Sequence, residues 1–224
     1  MRPAASPPTA WRGIIFDLDG VLVNSFAVMR QAFALAYREI VGAGDPPFDE
    51  YRRHMGRYFP DIMRDMGLPA ELEGPFAGES QRLAGQVEVY DGVPGMLAAL
   101  RERSLRLAVA TGKSGPRARS LLGTVGLLDL FDAVIGSDEV AHPKPAADIV
   151  LAALGRLGVA ATEAMMVGDA PADMRSAQAA GVYAVAALWG EADAAELLAA
   201  APDAALQRPA DILALAPLSV RGRT

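Results

Sequence analysis

Short apolar runs in this chain end abruptly on polar residues. Gly13 to Phe16 runs into Asp17, Leu105 to Ala110 into Thr111, Ala133 to Gly136 into Ser137, and Ala164 to Val167 through Gly168 into Asp169. Segments of helical spacing separate the later runs: Gly95 to Arg103, Pro116 to Val125, Ala146 to Gly155, and Pro171 to Ala180, closed by Gly181. Tyr183 to Leu188 supplies a further apolar run. Helix alternating with a short, fully apolar strand is the pattern of a parallel sheet covered on both faces, so the expected fold class is α/β.

The first run stands apart from the rest. After it, Asn24 or Ser25 can cap a helix in which Phe26, Met29, Phe33, Ala36 and Ile40 recur at helical spacing, until Gly42 and Gly44 break it. From Asp45 to Val89 no period-2 pattern stands out, which predicts several short helices and no sheet. The expected organisation is therefore a discontinuous α/β core, residues 1–23 and 91–224, with a lid-like helical cap inserted as residues 24–90.

Composition narrows the chemistry. The chain has no Cys and only two His, so thiolate chemistry and His-rich metal sites are excluded and any metal must be held by oxygen. A net charge of -6 argues against nucleic acid or an anionic membrane as partner, and no apolar run approaches the ~18 residues of a membrane span. Met1 to Ala10 lacks the apolar stretch of a secretory signal and reads as a short, flexible, Pro-rich start. A cytoplasmic protein acting on small molecules is expected. Of 21 basic residues only Lys113 and Lys144 are lysines, so generic surface charge does not explain them.

In an open parallel sheet, ligands bind outside the carboxyl ends of the strands, which gathers the polar residues despite their separation in sequence. Carboxylates, a hydroxyl with a neighbouring backbone N–H, and an ammonium suit a hard cation together with a phosphate.

Four segments, FDLDGVL (16–22), ATGK (110–113), HPKP (142–145) and VGDAPAD (167–173), resemble the ordered motifs of the haloacid dehalogenase (HAD) superfamily of phosphatases. The resemblance implies a Rossmann-like core with a helical cap inserted after the first motif. Within the superfamily the chain is similar to the phosphoglycolate-phosphatase-like group. NSFAVMRQAFALAYRE, RHMGRYFPDIM, ATGKSGPRARSLL and AALWGE also resemble phosphatases associated with 3-amino-5-hydroxybenzoic acid (AHBA) synthesis in ansamycin antibiotic pathways. The activity this implies is hydrolysis of a small phosphorylated metabolite: an aminosugar-type precursor by the AHBA resemblance, a small phosphoacid by the phosphoglycolate resemblance. A phosphosugar mutase uses the same pair of aspartates and stays open. A phospho-accepting receiver or an inactive partner protein is the reading from a different class; receivers are about half this length, and all four motifs here are intact.

Asp17 is the expected nucleophile, since a carboxylate can accept a phosphoryl group as an acyl phosphate and so divide hydrolysis into two steps. Asp19 is the expected general acid and base. Asp17, Asp169, the Asp19 backbone carbonyl by resemblance, and Asp173 one turn into its helix are expected to serve Mg²⁺, with Asp173 in a supporting or alternate-ligand role. Thr111 and the Gly112 N–H should cradle the phosphoryl oxygens, and Lys144 should balance Asp17 and the charge developing on phosphorus. Lys113 is a further substrate-binding candidate, with a solvated loop position as the alternative. Arg53, Arg57 and Tyr58 are the cap candidates, against solvated arginines and a packed tyrosine. Asn24, where many relatives carry Asp, reads as a helix cap.

Overall fold

The computed structural model describes residues 10–217. The expected Pro-rich start, apart from Ala10, and residues 218–224 of the expected core lie outside that range. The chain begins with β1 (Gly13–Phe16), a short β2 (Val23–Asn24), and four helices, α1 (Phe26–Ile40), α2 (Phe48–Arg53), α3 (Phe59–Asp65) and α4 (Glu73–Arg82). It returns through β3 (Glu88–Val89) to alternating elements: α5 (Val93–Glu102), β4 (Arg106–Thr111), α6 (Gly115–Thr124), β5 (Ala133–Gly136), α7 (Asp148–Leu157), β6 (Ala164–Gly168), α8 (Pro171–Ala180) and β7 (Tyr183–Ala187). Last come α9 (Ala194–Ala199), β8 (Ala204–Leu206) and α10 (Ile212–Leu215).

The main sheet has six strands in the order β5-β4-β1-β6-β7-β8, every pairing parallel. Its side chains alternate between two apolar layers, as the period of a strand demands. Ile14 and Phe16 of β1, with Leu107 and Val109 of β4, face the layer formed by α5, α6 and α10. Ile15, Ala108 and Ala110 face the layer of α7, α8 and α9. Both faces are covered, which is why the strands read as unbroken apolar runs. This is the α/β arrangement the alternation implied, and the Rossmann-like core the resemblance implied.

The helices between β2 and β3 have their own core. Phe33, Phe48, Tyr51, Phe59 and Phe76 cluster away from the sheet, with Phe59 and Phe76 stacked at 4.5 Å between ring centroids. The expectation of no sheet from Asp45 to Val89 is corrected, since Glu88–Val89 pairs antiparallel with Val23–Asn24. Strands of two residues are too short to carry an alternation, yet this ribbon fixes the exit and return of the helical segment beside the end of β1. No described helix is long and apolar enough to cross a membrane.

Candidate active site

β1 delivers Asp17. Its N–H still bonds to Val167 O at 2.9 Å, continuing the sheet, while its carboxylate is sealed at the strand's end. There Asp17 Oδ1 accepts the Leu18 N–H at 2.7 Å and lies 3.0 Å from Lys144 Nζ. Lys144, from the loop between β5 and α7, also meets Asp173 Oδ1 at 2.7 Å, and all three side chains are buried. Asp173 sits in the first turn of α8, where its Oδ2 accepts the Ala170 N–H at 3.0 Å. That caps the helix while aiming the second oxygen at Lys144.

Asp169, at the end of β6, is held from the other side: its Oδ2 accepts the Glu191 N–H at 3.0 Å. The loop carrying Glu191 is anchored by Trp189, whose Nε1 donates to Val21 O at 3.0 Å. Gly20 closes against the same carboxylate. It has φ +79°, and a Cβ there would lie 2.0 Å from Asp169 Oδ2, so the turn after β1 needs glycine for both conformation and space.

Asp17, Asp169 and Asp173 each offer one oxygen within 4.8 Å of the others. Burial, with repulsion from Asp173 and Asp19 added and attraction to Lys144 opposing, pushes the Asp17 carboxyl up to about 7. Burial and the neighbouring Asp173 and Asp17 likewise raise Asp169 well above the usual carboxylate range. Lys144 is raised: burial works against its charge, but Asp17 and Asp173 outweigh it. Three buried carboxylates against one ammonium, all with oxygen donors, fit a hard divalent cation, which needs anionic oxygen and relieves their repulsion.

The expected partners gather beside this cluster. Thr111 is buried at the end of β4 and its Oγ1 accepts the Lys113 N–H at 3.2 Å. Lys113 is nearly buried, with Nζ 3.2 Å from Asp19 Oδ2, which decides against a solvated loop position. Burial lowers its ammonium below the usual lysine range despite the attraction of Asp19. Asp19 Oδ1 accepts the Ser25 hydroxyl at 2.5 Å. The Asp19 carboxylate thus turns to Ser25 and Lys113, and only Asp17, Asp169 and Asp173 form the three-carboxylate group. Ser25 occupies the cap position of α1 without capping it through its side chain.

A cavity of about 250 Å³ opens over these residues. Asp17, Asp19, Thr111, Gly112, Lys113 and Asp169 line its core side. Across from them stands the loop between α2 and α3, whose backbone comes so close that a Cβ on Gly112 would lie 2.6 Å from the carbonyl oxygens of both Gly56 and Arg57. Arg53 and Arg57 line the cavity; Tyr58 lines a neighbouring one with Phe59, Glu73 and Ser114. The Arg57 guanidinium is engaged within the helical segment, with Nη2 2.6 Å from Asp65 Oδ2 and Nη1 3.2 Å from His54 Nδ1.

Sequence reasoning passed over Tyr51, Glu191 and Arg117, all on the cavity wall. Tyr51 and Glu191 carried no motif. Arg117 stood in plain view in the ATGKSGPRARSLL segment, but its surroundings depend on Phe76, which arrives from α4.

A family model described as haloacid dehalogenase-like hydrolase matches residues 14–187. The chain is 35% identical to Probable phosphatase IndB of Dickeya dadantii, covering 84% of this chain and 86% of that protein. It is 31% identical to the phosphoglycolate phosphatase of Pectobacterium atrosepticum over 92% of this chain and 93% of that one. Among solved structures, a haloacid dehalogenase-like hydrolase of Streptococcus pneumoniae superposes with a TM-score of 0.82 at 26% identity, covering 92% and 99% of the two chains.

Proposed function

The chain belongs to the haloacid dehalogenase-like hydrolase family as a phosphatase of phosphoglycolate-phosphatase type, and on that premise we propose a Mg²⁺-dependent route through a phosphorylated Asp17. The observation that carries this reading is the buried Asp17 carboxylate at the floor of the cavity, in contact with Lys144 and grouped with Asp169 and Asp173.

Asp17 and Asp169 would hold Mg²⁺ directly, with the Asp19 carbonyl as a further oxygen and Asp173 behind them. When bound, the cation offsets charge between Asp17 and the incoming phosphate and polarises the phosphoryl oxygens. Lys144 opposes the protonation of Asp17 that burial favours, so supporting the carboxylate that attacks phosphorus, and Thr111 with the Gly112 N–H orients the equatorial oxygens. Asp19 protonates the leaving oxygen and then takes a proton from the water that splits the acyl phosphate. Lys113 Nζ, 3.2 Å from Asp19 Oδ2, holds that carboxylate in place for both steps.

The helices between β2 and β3 act as a cap: the core groups touch only the phosphoryl group, so choice among esters falls to residues facing them, Arg53, Arg57 and Tyr58 among the candidates. The AHBA resemblance supports a phosphorylated aminosugar-type precursor in a cytoplasmic antibiotic pathway, and the phosphoglycolate phosphatases among its relatives support a small phosphoacid. A phosphate-release screen over phosphorylated aminosugars, sugar phosphates and phosphoglycolate, with Mg²⁺ and after chelation, tests the reading. Full activity after exhaustive chelation would overturn the metal assignment.

A further inference from the structure

Arg117 is out of place for a helix-surface arginine. It lies in the first turn of α6, lines the cavity above Asp17 and two further cavities beside it, and is partly buried. Its guanidinium carbon sits 5.4 Å from the centroid of the Phe76 ring, a cation–π contact across the cavity wall. Its Nη2 is enclosed with no hydrogen-bond partner, and among the described residues Arg117 forms no ion pair. Burial disfavours its charge; Asp19, Tyr51 and Glu73 are near enough to favour it without bonding to it. An enclosed guanidinium N–H without an acceptor costs stability, and such a group on a cavity wall is what an incoming acceptor would satisfy.

The surroundings define that acceptor. Tyr51, Phe59, Phe76 and Met29 give the same cavity an apolar side, so a leaving group lodged there rests on aromatic surface beside the Arg117 guanidinium. Arg57 cannot offer the same, since Asp65 and His54 already engage its guanidinium. A planar guanidinium fork lying over a ring matches a carboxylate better than it matches a hydroxyl.

We infer that Arg117 is a specificity-determining residue that binds a carboxylate on the leaving group of the substrate. This rests on the phosphatase reading of the core and, of the two substrate classes above, favours the acid-bearing one. The core holds the phosphoryl group; Arg117, on the first turn of the helix that follows the Thr111 strand, holds the far end.

Binding of phenylphosphonate and of the three phosphonobenzoic acids, measured by calorimetry with Mg²⁺ present, separates the two readings without turnover. Phenylphosphonate reports on the phosphoryl site alone. At least one phosphonobenzoic acid is expected to bind about ten- to a hundredfold more tightly than phenylphosphonate, the range of a hydrogen bond between ionised groups. Arg117→Gln is expected to erase that preference, and Arg117→Lys to restore part of it. Arg117→Lys also serves as the test if the glutamine variant does not fold. Equal binding of all four ligands by the native protein, or a preference that survives in Arg117→Gln, would overturn the inference while leaving the phosphoryl site standing. Failure of even phenylphosphonate to bind would overturn the reading of the core and the inference with it.

Discussion

Lys144 Nζ lies 3.0 Å from Asp17 Oδ1, and neither side chain is exposed to solvent. The same nitrogen meets Asp173, so one ammonium ties the end of β1 to the start of α8 and, among the described residues, is the only cation paired with any of the three clustered carboxylates. The residues that perform the proposed chemistry are thus also a point of stored repulsion.

Lys144→Met is therefore expected to destabilise the metal-free protein by about 3–5 kcal/mol near pH 8, the cost of leaving buried charge without its partner. The loss is expected to shrink towards pH 5, where Asp17 and Asp169, both raised by burial, take up protons instead. Denaturant melts at the two pH values check this; an equal loss at both would show that packing, not charge, sets the cost.

Metal and pH are coupled through Asp17. Its folded value of about 7 lies above the ordinary 3.8, so its contribution to stability is present below about pH 4 and is lost as pH rises through 7. Asp169 is displaced in the same direction. Mg²⁺ competes with those protons, so the rise in Tm on adding Mg²⁺ is expected to be small at pH 5.5 and large at pH 8. Thermal melts with and without Mg²⁺ across that range read it directly, and a pH-independent increment would place the cation elsewhere.

Gly112→Ala tests the contact between the core and the segment facing it. The added Cβ would lie 2.6 Å from the backbone oxygens of Gly56 and Arg57, so the loop between α2 and α3 must shift away. A displacement of about 1 Å at a reacting site costs roughly 10²-fold in rate. We expect a loss of that order in kcat/KM for phosphate esters with a Tm close to native; unchanged kinetics would show that the approach of this loop is not needed for turnover.

Much of this was legible in the sequence because it follows from periodicity and punctuation. The strands are buried on both faces and read as apolar runs, and Asp17, Thr111, Lys144 and Asp169 follow from where those runs stop. α8 was fixed by Pro171 at one end and Gly181, with φ +75°, at the other. The β2–β3 ribbon was not legible because two residues carry no period. α9, β8 and α10 are short, and their Ala-rich stretches favour neither period clearly. Lys113 could not be placed from sequence, since its burial depends on Asp19, 94 positions earlier in the chain. Arg117 was illegible for the same kind of reason: what marks it is the absence of a partner in a pocket built by three distant segments.

Trapping the phosphorylated enzyme tests the central claim most directly. Mixing enzyme with substrate, quenching in acid, and reducing with borohydride converts an aspartyl phosphate to homoserine, which peptide mass spectrometry locates. Homoserine in place of Asp17 is expected, together with loss of all but about a percent of phosphate release in an Asp17→Asn protein that melts like the native one. Homoserine at another aspartate, or substantial turnover by Asp17→Asn, would contradict the account.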